Sequence, residues 1–509
     1  MKKVFLFICF LLSGYTIYAE EVVAKNFAEL KNAVMLGKDV ALLKSAIYNV
    51  TEIIFFQKDG QKIYTKDANR ISEYAVLKIT NPEIGQILNA NSKSNIIVEK
   101  LILDGNKYDL PSFKGQGQEL VWFGGKNAQN QTLRNCVLMN TRTWSSFKMN
   151  EGSINPRIEN TIILGSGVDA RGNGRCDGDV PFSWGDGITC SAVKSKILNN
   201  IIIDSTDVGI VLFSAPESII QNNVIAAISR ESLGGINLVD GLYCYEVDKT
   251  ETMLLGPDAT RKYDYSVIVR NNLIDARGAR IHVAIPMGAC IWSPRNKPQK
   301  FFLGAKILDN EMAGDASAYG LVLSDVGDFE IMGNVSTGKN SGYGDGLRSI
   351  LCDDPSPFIY DVNTVKSSRL QKDFKKMERS VEHLLRCNHG PMAIGGFFKG
   401  YKAYSYGEFE RIAAVQTAYL EMLGRDPRED ELERFSRLLN ERQLPVDELR
   451  LILADTKEFI NKNGKIKRER IHSFRTKKWM NLLDEAIGTS NNWDAKIIYK
   501  NTIKKFYSK

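Results

Sequence analysis

The sequence predicts a mainly β fold, a right-handed single-stranded parallel β-helix followed by a small all-α C-terminal domain. Three observations lead there: apolar runs recur around an asparagine, each run is too short to bury a face alone, and the composition changes after Asp354.

The runs are LRNCVLM at Asn135, IENTIIL at Asn160, LNNIIID at Asn200, QNNVIAA at Asn223, RNNLIDA at Asn272, LDNEMAG at Asn310 and MGNVSTG at Asn334. VEKLILDGN is an earlier copy with Lys100 in that place. Successive gaps are 35, 25, 40, 23, 49, 38 and 24 residues, so a unit of 23 to 25 residues recurs and the longer gaps hold insertions or a second, unmarked unit. Each unit reads as two or three strands of three to five β-branched or aliphatic residues, punctuated by Gly, Asn, Asp and Ser. Strands so short gain a core only by stacking on copies of themselves. The expected inward stack is Ile197, Ile219, Ile268, Ile307 and Ile331, and the expected amide ladder is Asn200, Asn223, Asn272, Asn310 and Asn334.

The elements then follow in order. Residues 1–19 have the form of a signal peptide: Lys2-Lys3, an apolar run from Val4 to Leu12, and Ile17-Tyr18-Ala19 before the expected cut. The β-helix is expected over 20–360 and a charged helical linker over 361–403. A three-helix unit over 404–460 carries Phe409, Ile412, Val415, Tyr419 and Met422 at helical spacing, with Gly424 as a stop and Pro427 and Pro445 as starts. Residues 461–509 form a basic helical tail, thirteen Lys or Arg against four Asp or Glu, a net of +9. The chain's +7 therefore belongs to the tail: with +2 from Lys2-Lys3 set aside, residues 20–460 sit near −4. The tail reads first as a solvated helical face and second as a contact for an anionic polymer or surface. Secretion argues against nucleic acid, and no run of 18 apolar residues suggests a transmembrane segment.

Seven cysteines remain after the leader, without the paired spacing of a zinc site. Cys176 and Cys190 flank one loop and form the best disulfide candidate, with buried free thiols the equal alternative.

A strand can be followed through five coils: GITCS from Gly187, GIVLF from Gly209, GINLV from Gly235, RIHVA from Arg280 and GLVLS from Gly320. Alternation turns Ile188, Ile210, Ile236, Ile281 and Leu321 inward and Thr189, Val211, Asn237, His282 and Val322 outward, with Asp186, Asp207 and Arg280 at the strand entry. Carboxylates one coil apart approach the spacing of an acid/base pair, and nearby arginines suit a uronate or sulfate. The candidate catalytic residues are therefore Asp186, Asp207 and His282. Trp184, Arg230, Asn237, Asp240, Arg277 and Arg280 are the candidate sugar contacts, and the insertions 168–183 and 241–265 are the expected walls. No metal site or cofactor is predicted. The competing reading of each acid is a turn cap, and of the arginines a solvated wall.

The repeat resembles the right-handed β-helix proteins of the pectate lyase and polygalacturonase superfamily over some three hundred residues. Polygalacturonases carry Asn-Thr-Asp-Gly, Asp-Asp, Gly-His-Gly and Arg-Ile-Lys. This chain has Gly185-Asp186-Gly187, Thr206-Asp207, Leu233-Gly234-Gly235 and Arg280-Ile281-His282, lacking the second acid of the pair and the central His. Neither an acid cluster suited to calcium nor the Asp-Pro-His-Asp motif of alginate epimerases occurs. The helical unit, through Tyr419, Leu423-Gly424-Arg425-Asp426-Pro427 and Glu458-Phe459, resembles a small domain of unknown function in secreted bacterial proteins, which implies an attachment or assembly module. The expected function is a secreted or periplasmic protein that binds and processes a polysaccharide or cell-surface glycan, as lyase, hydrolase or epimerase. The alternative is a non-catalytic surface scaffold or adhesin.

Overall fold

The computed structural model describes residues 21–111, 113, 119–167, 185–239, 266–288, 291, 302–340, 356–377, 408–441, 446–490 and 492–507. Among the described residues four sheets, every pairing parallel, contain 12, 11, 10 and 3 strands. In the three large sheets each strand bonds to its counterpart in the next coil, which defines a parallel β-helix. The 11-stranded sheet positions the candidate site. Its strands are β1 (Ile54–Phe55), β2 (Leu88–Asn91), β3 (Val121–Gly124), β4 (Ser145–Met149), β5 (Asp186–Cys190), β6 (Val208–Phe213), β7 (Ser232–Val239), β8 (Ile281–Met287), β9 (Ser317–Leu323), β10 (Phe358–Asp361) and β11 (Lys375–Met377). They stack in sequence order.

The expected amide ladder forms. Each buried Asn Nδ2 donates to the next Oδ1 from Asn200 through Asn223, Asn272 and Asn310 to Asn334 at 2.9 to 3.0 Å, and Asn334 passes the bond to Gln371 at 3.2 Å. Asn135 and Asn160 belong to a different ladder. They share the left-handed backbone of Lys100, Asn199, Asn222, Asn271 and Asp309, one position earlier, while Cys136 and Thr161 occupy the buried rung. Two adjacent asparagine positions explain the off-by-one alignment: one tolerates left-handed φ and the other bonds across coils.

The inward stack is corrected in the same way. Strand register aligns Val98, Leu133, Ile158, Ile197, Ile220, Val269, Ile307 and Ile331, all in the core. Ile219 and Ile268 are half-buried and stand in the outward row of Lys196 and Lys306. In a strand a slip of one residue reverses every side chain.

Val365–Lys366, Arg369–Leu370 and Lys375–Met377 are strands that extend three of the sheets, so the described part of the expected helical linker is instead the end of the β-helix. Pairing with an existing edge overrides the helix propensity of a charged stretch. Cys190 is a free, buried thiol in the core, which corrects the disulfide expected with Cys176; burial pushes it up to about 11.

Helix α1 (Phe27–Met35) lies at the N-terminal end, and six more follow among the described residues: α2 (Glu408–Met422), α3 (Glu429–Glu441), α4 (Val446–Ala454), α5 (Lys457–Asn463), α6 (Ile471–Gly488) and α7 (Ala495–Tyr507). Helices α2 to α5 share a core with Val415, Tyr419, Phe435, Leu453 and Phe459. The basic segment packs its apolar face on the 10-stranded sheet. Trp479, Leu483, Ile498, Tyr499 and Phe506 meet Ile102, Val137, Ile162, Ile201, Val224 and Leu273. That cover explains why strands such as Ile201–Ile203 are apolar on both faces. No helix of the described residues is long and apolar enough to cross a membrane.

A buried ion network fastens the helices to the coils. Glu421 meets Arg450 and lies 2.9 Å from Arg475, Arg475 faces Asp204 at 3.6 Å, and the Arg450 guanidinium donates to the Ile228 carbonyl at 3.0 Å. The two guanidiniums and their hydrogen bonds outweigh desolvation and hold Glu421 down at about 2.

Candidate active site on the 11-stranded sheet

The Gly-Ile echo of successive coils has a backbone cause. A Cβ on Gly187 would lie 2.5 Å from the Gly209 carbonyl and 2.7 Å from Ile202, and Gly209 and Gly235 are crowded in the same way by the next coil. These glycines and the isoleucines after them both face the interior, so each strand carries a kink with two consecutive inward positions. The residue before each pair is thereby turned outward, forming one row: Ser145, Asp186, Val208, Gly234, Val283 and Tyr319. One position earlier stand Asp207, Leu233 and His282.

This register corrects the strand carrying Arg280. Ile236 aligns with Ile285, not Ile281, so Pro286 takes the outward place expected for His282, and His282 moves to the strand entry alongside Asp207. Two coil spacings separate the backbones of Asp207 and His282, roughly 10 Å.

Asp186 is 9% exposed, and its Oδ2 accepts from Thr189 Oγ1 at 2.7 Å; Thr189 in turn contacts Ser145. Burial first and the Asp207 charge second hold Asp186 well above the ordinary carboxyl range, against the pull of Thr189, the Val208 amide and Lys148. Burial raises Asp207 to about 6. His282, 3% exposed, has Nε2 2.5 Å from Glu231 Oε1, an ion pair whenever the imidazole is protonated. On the other side, Glu119 and Lys148 pair at 3.0 Å, and the Lys148 ammonium lies 5.3 Å from the centre of the Trp122 ring. Trp144, 38% exposed, accepts the Asp186 amide on its carbonyl at 2.7 Å. Beyond His282 the outward face becomes apolar, with Val283, Tyr319, Val322 and Ile359.

Two expected sugar contacts point elsewhere. Arg230 donates to the Gly167 carbonyl at 3.1 Å and lines a cleft with Asp204, Tyr108, His472 and Arg475 against α6. Arg277 binds Asp275 at 2.9 Å and lies over the Tyr507 ring of α7. Covering the 10-stranded sheet with helices draws both arginines to that side. Arg280 and Asn237 are buried on the 11-stranded sheet, Arg280 beside His282 at the entry and Asn237 in the row of Val211. Trp184 and Asp240 lie outside the described residues, as do the expected walls and the leader. Glu119, Lys148 and Glu231 were not singled out from sequence. Glu231 precedes its strand as Asp207 does, but four residues before Gly235, where Asp207 stands two before Gly209 and Asp186, the first residue of its strand, one before Gly187. Among the described residues no group of three or more His, Cys, Asp or Glu is arranged to hold a metal ion.

The coil topology defines a parallel β-helix, with Asp186, Asp207, Glu231 and His282 gathered at the strand entries of one sheet. Solved structures of that class include an alginate lyase from Paenibacillus sp., 13% identical with a TM-score of 0.42, the match covering 62% of this chain and 95% of that one. The Dettilon tailspike protein is 13% identical with a TM-score of 0.44, over 68% and 59%, and a surface adhesin of Streptococcus pneumoniae is 11% identical with a TM-score of 0.35, over 70% and 92%. At these identities the likeness is one of fold. No family model and no curated protein sequence matches the chain.

Proposed function

We propose that the outward face of β3 to β8 binds an extended glycan and transfers protons on it, with Asp186 and Asp207 as the acid/base pair. The observation that carries this reading is the carboxyl pair itself: two acids on adjacent coils, Asp186 buried and Asp207 half-buried, one raising the proton affinity of the other. Burial and the Asp207 charge hold Asp186 well above the ordinary carboxyl range while burial alone raises Asp207, to about 6; two carboxyls set apart in this way can divide the roles of acid and base that chemistry on a glycosidic bond or a sugar C–H requires. The repeat of the strands, about 4.8 Å per coil, suits a chain of sugar rings laid along the helix axis. The Glu231–His282 pair, close to Asp207, is a second group able to exchange a proton.

A panel of neutral and uronate-containing glycans incubated with the full chain, read by new reducing ends and by absorbance of unsaturated products, tests the proposal. Turnover that falls by 10²-fold or more in both Asp186→Asn and Asp207→Asn is the expected result, the usual size for loss of a positioned acid or base. Turnover indifferent to both substitutions removes these acids from the chemistry. Absence of binding and turnover on the whole panel leaves the rigid surface scaffold as the better reading.

A further inference from the structure

Three acceptor atoms on this face are buried without a donor: Glu119 Oε2, Asp186 Oδ1 and Asn237 Oδ1. Their residues are 1%, 9% and 2% exposed. Each such orphan costs about 1–3 kcal/mol, and the other oxygen of each acid is satisfied, Glu119 by Lys148 and Asp186 by Thr189. The face is therefore short of donors at three places spread over coils β3, β5 and β7 and short of an acceptor at one, the Trp122 indole N–H, needs that a hydroxyl, donor and acceptor at once, can meet.

Its charge balance points the same way. Glu119, Asp186, Asp207 and Glu231 face Lys148, His282 and Arg280. Lys148 is held by Glu119 and His282 by Glu231, while Arg230 and Arg277 serve the other side of the molecule. A uronate or sulfate ester brings further acceptors and negative charge beside four acids. A neutral sugar brings hydroxyl donors, which the orphaned oxygens lack.

We infer that the glycan taken by this groove is uncharged and is recognised through hydroxyl groups donated to Glu119, Asp186 and Asn237. This corrects the expectation of arginines gripping a uronate or sulfate, and it rests on the glycan reading of the groove.

The test is direct binding, by calorimetry or affinity electrophoresis, of the full chain to matched neutral and acidic glycans, such as glucans and mannans against polygalacturonate, alginate and sulfated galactan. Asn237→Ala and Glu119→Gln serve as groove variants, and thermal unfolding confirms that each is folded. A neutral glycan that binds at least tenfold more tightly than every acidic one, with affinity reduced fivefold or more by Asn237→Ala, is the expected result. A uronate or sulfated glycan that binds more tightly, and is lost in the same variants, overturns the inference while leaving the glycan groove standing. Binding of any glycan that is indifferent to both variants overturns the groove and the inference together, as does failure of every glycan to bind.

Discussion

His282 Nε2 and Glu231 Oε1 stand 2.5 Å apart, both side chains nearly out of solvent. Removing one member leaves the other buried without its counter-group, at a cost of several kcal/mol. His282→Gln keeps a donor near Glu231 but cannot exchange a proton. We expect it to lose 10²-fold or more in kcat while unfolding within a few degrees of the parent, whereas His282→Leu is strongly destabilised. Paired kinetics and melting curves check both.

The Asp186–Asp207 pair makes the groove a source of instability at neutral pH. An acid with a raised folded-state pKa gives stability that is complete below the unfolded value near 3.8 and lost as pH climbs, for Asp207 up to about 6. Asp207→Asn should therefore stabilise the protein at pH 7 to 8 by on the order of 1–3 kcal/mol and change little at pH 4. Urea titration at the two pH values measures this. If the acids were turn caps, the substitution would be neutral or destabilising at both.

The same pair sets a pH profile. Activity should rise as Asp207 ionises around 6 and fall at higher pH as Asp186 loses its proton, a bell whose limbs belong to the coupled pair. Glu231, His282 and Lys148 also face this site, so the profile of Asp186→Asn, flattened on its alkaline side, identifies the limb.

Register can be read by substitution. Ile220→Ala opens the core and should cost about 2–5 kcal/mol, while Ile219→Ala, in the outward row, should cost about 1 kcal/mol or less. Equal costs would place the strand one residue off.

In the asparagine ladder, Asn272→Ala takes the acceptor from the Asn223 amide and Nδ2, and about 1–3 kcal/mol should follow. Asn272→Thr should recover part of it, because Thr161 fills the equivalent rung and its Oγ1 receives the Cys136 amide. Denaturation midpoints of the two variants decide this.

The coil and its beat were legible because stacking demands the same residue type at the same place in every turn: Asn200 to Asn334 met that demand literally. The errors came where two neighbouring positions shared a chemistry. Asn135 resembles Asn200 in letters but matches Asn199 in role, and Ile219 resembles Ile197 but matches Lys196. The place of Asp186 and Asp207 at the strand entries was legible because a glycine follows each closely. Glu231 escaped because it stands four residues before its glycine, its strand starting only at Ser232. Arg230 and Arg277 were misassigned because nothing local tells which of three faces a turn residue serves; that depended on helices more than a hundred residues away. A hint existed in strands such as Ile201–Ile203, apolar on both sides and so in need of a cover.

That cover has a mechanical side. In a stacked coil each turn is held mainly by its two neighbours, so a local opening can spread or fray without consulting the rest. Here Asp484 receives the Ile71 amide, Trp493 donates to the Asn199 carbonyl, Tyr499 to Asp275, and Lys500 reaches Glu311. One pair of helices is thus pinned to the rod at four stations along its length, like a splint on a spring. Opening any turn between the stations means lifting the splint as well. The β-helix is converted from a row of weakly dependent turns into one stiff beam, whose opposite sheet keeps the spacing of its strands when any single turn is strained.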